Sequence, residues 1–283
     1  MLAFSGRNLK VFFKDRASVF FSLLAVFIII GLYVLFLGDV WTSGNDLPGI
    51  RFLMDSWIMA GLLGVTSITT TMGAFEAMVS DKVDKKLKDF ASSPISRARL
   101  TGGYILSAIV IGIIMTLVAL VLAEVYIIAS GGELLGLVAL IKVLGLVLLS
   151  VISSTSMVLF LVSFFNSRNA FTSASTVIGT LIGFLTGIYL PIGQLPEAVQ
   201  WIIKCFPPSH AAVLLRQVMM EKPLEASFAG LPVEAAESFK ETMGVVFNYN
   251  GTIGSPMLSI AVLAASAVLF FLLAAMRFSK KVK

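Results

Sequence analysis

Apolar residues in this chain come in long blocks, and polar residues come in short interruptions. Six blocks stand out, at about 19–37, 57–79, 104–128, 134–165, 171–190 and 257–276. A helix needs about 20 apolar residues to cross a hydrocarbon core. The first block, VFFSLLAVFIIIGLYVLFL, carries no charge. The pattern predicts an all-α integral membrane protein with six transmembrane helices, occupying residues 17–283.

Residues 1–16 are too charged to span. Arg7, Lys10 and Lys14 share one helical face, and Leu2, Leu9, Phe12 and Phe13 lie mostly on the other. Such segregation predicts an interfacial helix lying flat on the inner leaflet, and the plainer alternative is a solvated terminus. The first apolar block has no small-residue cleavage site after it, so it reads as a retained span.

The connection at about 191–255 is not uniformly polar. In LPEAVQWIIKCF, residues Leu195, Ala198, Val199, Ile202 and Phe206 recur at helical spacing. PPSHAAVLLRQVMM then predicts a second short helix with Ser209 as its cap. Both are too short to cross and suit helices that dip into the outer leaflet or pack over a pore mouth. His210 and Arg216 read as ties between them, with Glu197 or Glu221 as carboxylate partners for the arginine. Residues 225–249 predict a small exposed helical region, and Asn250-Gly251-Thr252 matches a glycosylation sequon that is common by chance.

Charge orients the spans. Lysines and arginines gather before the first block (Arg7, Lys10, Lys14, Arg16), between the second and third (Lys82, Lys85, Lys86, Lys88, Arg97, Arg99), at Arg168, and in the tail. The opposite connections are acidic, with Asp39, Asp46, Glu133, Glu197, Glu221 and Glu241 among others. The positive-inside rule then places both termini in the cytoplasm, which agrees with an even number of spans. A bacterial plasma membrane is the expected location.

Composition narrows the chemistry. The 283 residues are 58% hydrophobic and 13% charged, with a mean hydropathy of +0.97. The net charge of +5 sits at the ends of apolar blocks, so nucleic acid is not an expected partner. One cysteine excludes an internal disulfide, and one histidine excludes a histidine-rich metal site. There is no G-x-x-x-x-G-K-[ST] phosphate loop and no H-E-x-x-H. The chain is expected to be no enzyme and to hold no cofactor of its own. Any driven work draws on an ion gradient or on another chain.

Ion coupling wants ionisable groups near the midplane. Blocks one, five and six have none, while Glu124 and Lys142 lie near outer ends, where they snorkel or pair. A stand-alone secondary transporter or channel is therefore the alternative reading, and an intramembrane enzyme lacks its clustered acids or nucleophiles.

The most charged stretch is KLKDFASSPISRARLTGG, from Lys86 to Gly103. Upstream, Asp81–Lys85, Asp84–Lys88 and Lys85–Asp89 are i,i+4 pairs, and Val83, Leu87 and Phe90 make an apolar ridge. Pro94 stops that helix, and Ser96 is placed to cap the next. The ridge either meets a partner or packs on the protein's own membrane domain. Hydroxyls mark two blocks: Thr66, Ser67, Thr69, Thr70 and Thr71 in the second, and Thr172, Ser173, Ser175, Thr176 and Thr180 in the fifth. They either line a pore or bond to backbone and neighbouring helices.

The order of these parts resembles the ABC-2 type permeases, the membrane subunits of type V ABC exporters. The pieces are the interfacial helix at 1–16, Glu76 at the inner end of the second span, KLKDFASSPISRARLTGGYIL, and LPEAVQWIIKCFPPSHAAVLLRQV. The family's E-R-E-x-G-T is replaced by EAMVSDKVDKKLKD, which leaves open where the coupling helix begins. The resemblance implies a coupling helix at about 81–96 that docks on an ABC ATPase subunit. Its contacts are Val83, Asp84, Lys85, Leu87, Lys88, Asp89 and Phe90. It implies that Glu76 links that helix to the interfacial one through Arg7 or Lys10. Two ATPase subunits, carrying the ATP and Mg2+, would serve a pair of permeases, this chain with a second copy or a close homologue. A cargo path between spans two and five would involve Thr66, Thr69, Thr70, Thr176, Thr180 and Phe184. The apolar spans favour a hydrophobic or amphipathic cargo (a drug-like compound, a lipid or a peptide), moved outward and compatible with drug or antimicrobial resistance.

Overall fold

The computed structural model describes residues 1–38, 47–86 and 96–280. In chain order, the first three helices are α1 (Leu2–Lys14), α2 (Arg16–Ser22) and α3 (Leu24–Leu32). The long helices α4 (Ile50–Val83), α5 (Arg97–Ala129), α6 (Leu137–Val162) and α7 (Arg168–Leu185) follow. Four short helices come next: α8 (Glu197–Cys205), α9 (Pro207–Met219), α10 (Glu221–Ser227) and α11 (Val233–Thr242). A two-residue hairpin pairs Asn248–Tyr249 with Thr252–Ile253 before α12 (Pro256–Lys280). The sequon lies at its tip, where Asn250 and Gly251 both take positive φ.

Among the described residues, four helices are long and apolar enough to cross a membrane: α4, α5, α6 and α12. A fifth candidate is α2 with α3 and the π-helical turn Tyr33–Leu37, bent by 43° at Leu23. The expected fifth span, α7, is not among them. It has 18 residues, about 27 Å of rise, and its five hydroxyls, four of them in the N-terminal half, dilute its apolar character.

The core is built around α4. Its most apolar 18-residue window is 89% buried inside the protein, against 22% for α12. It packs on α5, α6, α7, α9 and α10. Small residues permit this. A Cβ on Gly64 would come within 3.1–3.2 Å of Ala212, and one on Gly112 would meet Val151 and Thr71 at 2.8 and 3.0 Å. Close backbone approach is the usual basis of helix packing in lipid, where apolar burial supplies no drive. Hydroxyls then join the helices: Ser67 to Ser154 at 3.2 Å between α4 and α6, and Ser153 to Ser266 at 2.8 Å between α6 and α12.

The amphipathic α1 lies against α5. Phe4 meets Tyr104 edge to face at 4.9 Å, and Asn8 donates to Ser107. Its buried stripe is Ser5, Asn8 and Phe12, while Leu2 and Phe13 stay exposed.

The structure changes some sequence expectations and meets others. Ser209 does not cap α9. Pro207 and Pro208 open that helix and need no cap for the N–H groups they lack. The Ser209 hydroxyl instead donates to the Leu185 carbonyl. In α8 the buried residue is Ile203, and Ile202 is exposed. Glu124 accepts from the Leu135 N–H at 3.1 Å, and Lys142 lies 3.8 Å from Glu221. Ser96 does cap α5, accepting from the Arg99 N–H.

Candidate functional site

Two features converge on the C-terminal half of α4. The first is an ionic clamp at its C-terminal end. Asp81, only 3% exposed, accepts from Arg7 at 2.6 and 3.2 Å and from the Tyr104 hydroxyl at 2.7 Å. Lys86 adds a fourth contact at 3.7 Å. One carboxylate therefore joins α1, α4 and α5. A buried carboxylate is costly unless its lone pairs are filled, and here three side chains fill them. The Asp81 hydrogen bond in turn holds the Arg7 guanidinium above its ordinary pKa, against the opposing effect of burial.

Beyond Asp81 the helix ends. Asp84 caps it, and Lys85 follows in the left-handed region at φ 61°. The expected Asp81–Lys85 pair is replaced by Asp81 with Arg7 and Lys86, because Lys85 has left the helix. Asp84 bonds to Lys86 at 3.0 Å and to Arg168 at 2.6 Å, and these cations hold its carboxyl below the usual range. Lys82 donates to the Phe165 carbonyl. The end of α4 is thus also tied to the connection between α6 and α7.

These ties flank the proposed ATPase contact. Val83 is partly exposed at the end of α4, with Asp84 and Lys85 just past it. Leu87, Lys88, Asp89 and Phe90, with the Asp84–Lys88 and Lys85–Asp89 pairs, lie outside the described residues.

Among the described residues Arg7 does not bond to Glu76; it engages Asp81, five residues further along α4. Glu76 is exposed, as is Lys10. The i,i+4 spacing marks Asp81 only as half of a local pair, and its long-range partners carry one signal in the sequence, the aromatic hydroxyl of Tyr104 at the N-terminal end of an apolar block.

The second feature is a cleft of about 730 Å³ between α2–α3, α4 and α7. Thr69, Thr176 and Thr180 line it, with Glu76 on the α4 wall and Tyr189 beyond the end of α7. Thr66 and Thr70 do not. They are fully buried and donate to the carbonyls of Leu62 and Thr66, which makes them packing residues. Phe184 is half-exposed and sits edge-on to Tyr189 at 5.0 Å.

The N-terminal half of α4 carries a third arrangement. Arg216 on α9 is completely buried. Its guanidinium lies 4.7 Å from the Trp57 ring and donates to the carbonyls of Thr186, Gly187 and Gly244. The expected partners Glu197 and Glu221 are not used; Glu221 faces Lys142 instead. Trp57 itself donates to the Met243 carbonyl at 2.7 Å. The chain that follows α7 is therefore pinned onto α4 through its backbone. His210, also buried, donates from Nε2 to the Lys204 carbonyl, so Nδ1 accepts from Ser259. Burial lowers its pKa and keeps the ring neutral.

The arrangement is that of a membrane device, with an ionic joint at one face, a cleft beside it and a rigid cap at the other. No curated protein matches the chain in sequence. A family model described as ABC-2 family transporter protein matches residues 48–276, from the start of α4 almost to the end of α12. The chain therefore belongs to the ABC-2 transporter family and is a multi-pass membrane component of an ABC transporter, a class that associates with an ABC ATPase subunit.

Proposed function

We propose that this chain is the permease half of an ATP-driven exporter in a bacterial plasma membrane. It has six spans, with α2–α3 as the first and α7 as the fifth, and both termini are cytoplasmic. A separate ATPase subunit docks on the stretch from Val83 to Ser93, with Leu87 and Phe90 as its apolar contacts. Two ATPases bind ATP and Mg2+ and serve two permease chains. The cargo is hydrophobic or amphipathic and occupies the cleft between α2–α3, α4 and α7.

The observation that carries this reading is the placement of the cleft beside the clamp. Glu76 in the cleft and Asp81 in the clamp are five residues apart on one helix, about 7.5 Å of rise. A push on the segment after Lys86 meets an α4 end that is already tied to α1, α5 and the α6–α7 connection. The displacement then tilts α4 as a rigid body instead of dissipating in a loop. Tilting α4 against α7 changes the width of the cleft.

The test is co-expression with the ATPase of the neighbouring reading frame. The parent should co-purify with it and stimulate its turnover. Leu87→Asp with Phe90→Asp should fold and lose both. Gly179→Leu fills the cleft from a position where an added Cβ meets nothing within 4 Å. It should retain the ATPase and lose cargo stimulation. Equal co-purification of the parent and the double variant would overturn the docking assignment.

A further inference from the structure

The cleft is chemically one-sided. Among its described lining residues there is one carboxylate, Glu76, and no lysine, arginine or histidine. No ion pair to Glu76 forms among the described residues, although Asp81 on the same helix is saturated with partners. Four of the eight lining hydroxyls share that polarity, while those of Ser22, Thr172, Ser175 and Tyr189 keep a hydrogen to donate. Thr69 donates to Val65, Thr176 to Thr172, Thr180 to Thr176, and Ser18 to Asp15. Their hydrogens are spent, so each offers a ligand only lone pairs. The Ser175 hydroxyl, buried on the same wall, has no partner. Three aromatic rings, Phe21, Phe171 and Tyr189, complete the lining.

We infer that the cleft selects amphiphiles whose polar part is a cation: an ammonium, guanidinium or phosphonium group on an apolar body. This rests on the cleft being the cargo site and adds the charge of the cargo. A cation gains from Glu76, from the oxygens of Ser18, Thr69, Thr176 and Thr180, whose hydrogens are already committed, and from aromatic faces. These attractions are stronger beside lipid than in water, because the local dielectric is low. An anion of the same shape meets Glu76 with no described countercharge. About 730 Å³ lies within the range of about 300–1,000 Å³ usual for drug-sized ligands. Glu76 near the inner end of α4 then acts as the entry contact for a cation arriving from the cytoplasmic side.

The experiment uses two rigid ions of nearly equal shape and opposite charge, tetraphenylphosphonium and tetraphenylborate. Saturable binding of each is measured on the purified full chain in uncharged detergent, without any ATPase. The parent should bind the phosphonium at least about tenfold more tightly than the borate, a difference of one decade. Glu76→Gln should cut that ratio about tenfold, and Glu76→Lys should reverse it. Gly179→Leu should remove saturable binding of both ions. Reading the ratio keeps the outcome independent of how much of a variant folds. A ratio unchanged in Glu76→Gln, or a parent that prefers the borate, overturns the inference. A parent that binds neither ion yet recruits the ATPase also overturns it and leaves the exporter reading standing. Glu76-dependent phosphonium binding by a chain that recruits no ATPase overturns the exporter reading alone.

Discussion

Each end of α4 is held by an arginine from another helix, and the two are held differently. At the inner end Arg7 meets a carboxylate, Asp81, with 36% of the arginine side chain exposed. At the outer end Arg216 is wholly buried and meets three carbonyl oxygens and the Trp57 ring. This pair can break and re-form, because Arg7 reaches water once released while Asp81 keeps the Tyr104 hydroxyl as a donor. A guanidinium sunk among carbonyls has no such option, since separating them strands a charge and several acceptors together. The inner end is built as a joint and the outer end as a fixed hinge plate. That division suits a helix driven from its C-terminal end.

The contrast can be broken at the outer end first. Arg216→Met leaves three carbonyls without a donor, each costing about 1–3 kcal/mol. It should give the largest loss of thermal stability, read as aggregation in detergent at temperatures where the parent is monodisperse. Arg216→Lys should recover little of it, because one ammonium cannot reproduce the planar fork.

Next in size is Gly64→Val. Its Cβ meets the Ala212 Cβ at 3.1 Å and the Ala212 backbone at 3.2 Å, and overpacking of this kind costs about 1–3 kcal/mol. A lowered melting temperature should follow, and none should follow Gly179→Ala, where the space is open.

Asp81→Asn should cost less, about 1–2 kcal/mol, since Arg7 regains water when released. Its signature should be functional: ATPase turnover that no longer responds to cargo, in a protein that still purifies.

The smallest effect sharpens the outer end by pH. His210 is buried and neutral, with its pKa lowered from 6.5 by desolvation. The unfolded chain takes up a proton at about pH 6.5 while the folded one does not. Stability is therefore full above that pH and falls as the pH drops toward the lowered value. Melting temperatures between pH 7.5 and 5 should show this decline in the parent and a weaker one in His210→Gln.

The helices were legible because lipid demands long apolar blocks, and all the long helices fall where those blocks lie. The division between α8 and α9 was legible from Pro207 and Pro208. What escaped was long-range. Asp81 looks like half of a local pair with Lys85, and only the fold brings it to Arg7, 74 residues away. Arg216 looks like a surface arginine seeking a glutamate, because carbonyl partners leave no mark in a sequence. Thr66, Thr69 and Thr70 look alike on paper. One turn of helix decides that Thr69 lines the cleft while the others pack.

The central claim is that the Arg7–Asp81 joint carries the ATPase stroke into α4. The direct measurement is cargo-stimulated ATPase turnover of the assembled transporter in Arg7→Asp, in Asp81→Arg and in the double exchange. The account predicts that each single variant keeps the ATPase subunit bound but loses stimulation, and that the double exchange regains much of it. Full stimulation in either single variant would contradict it.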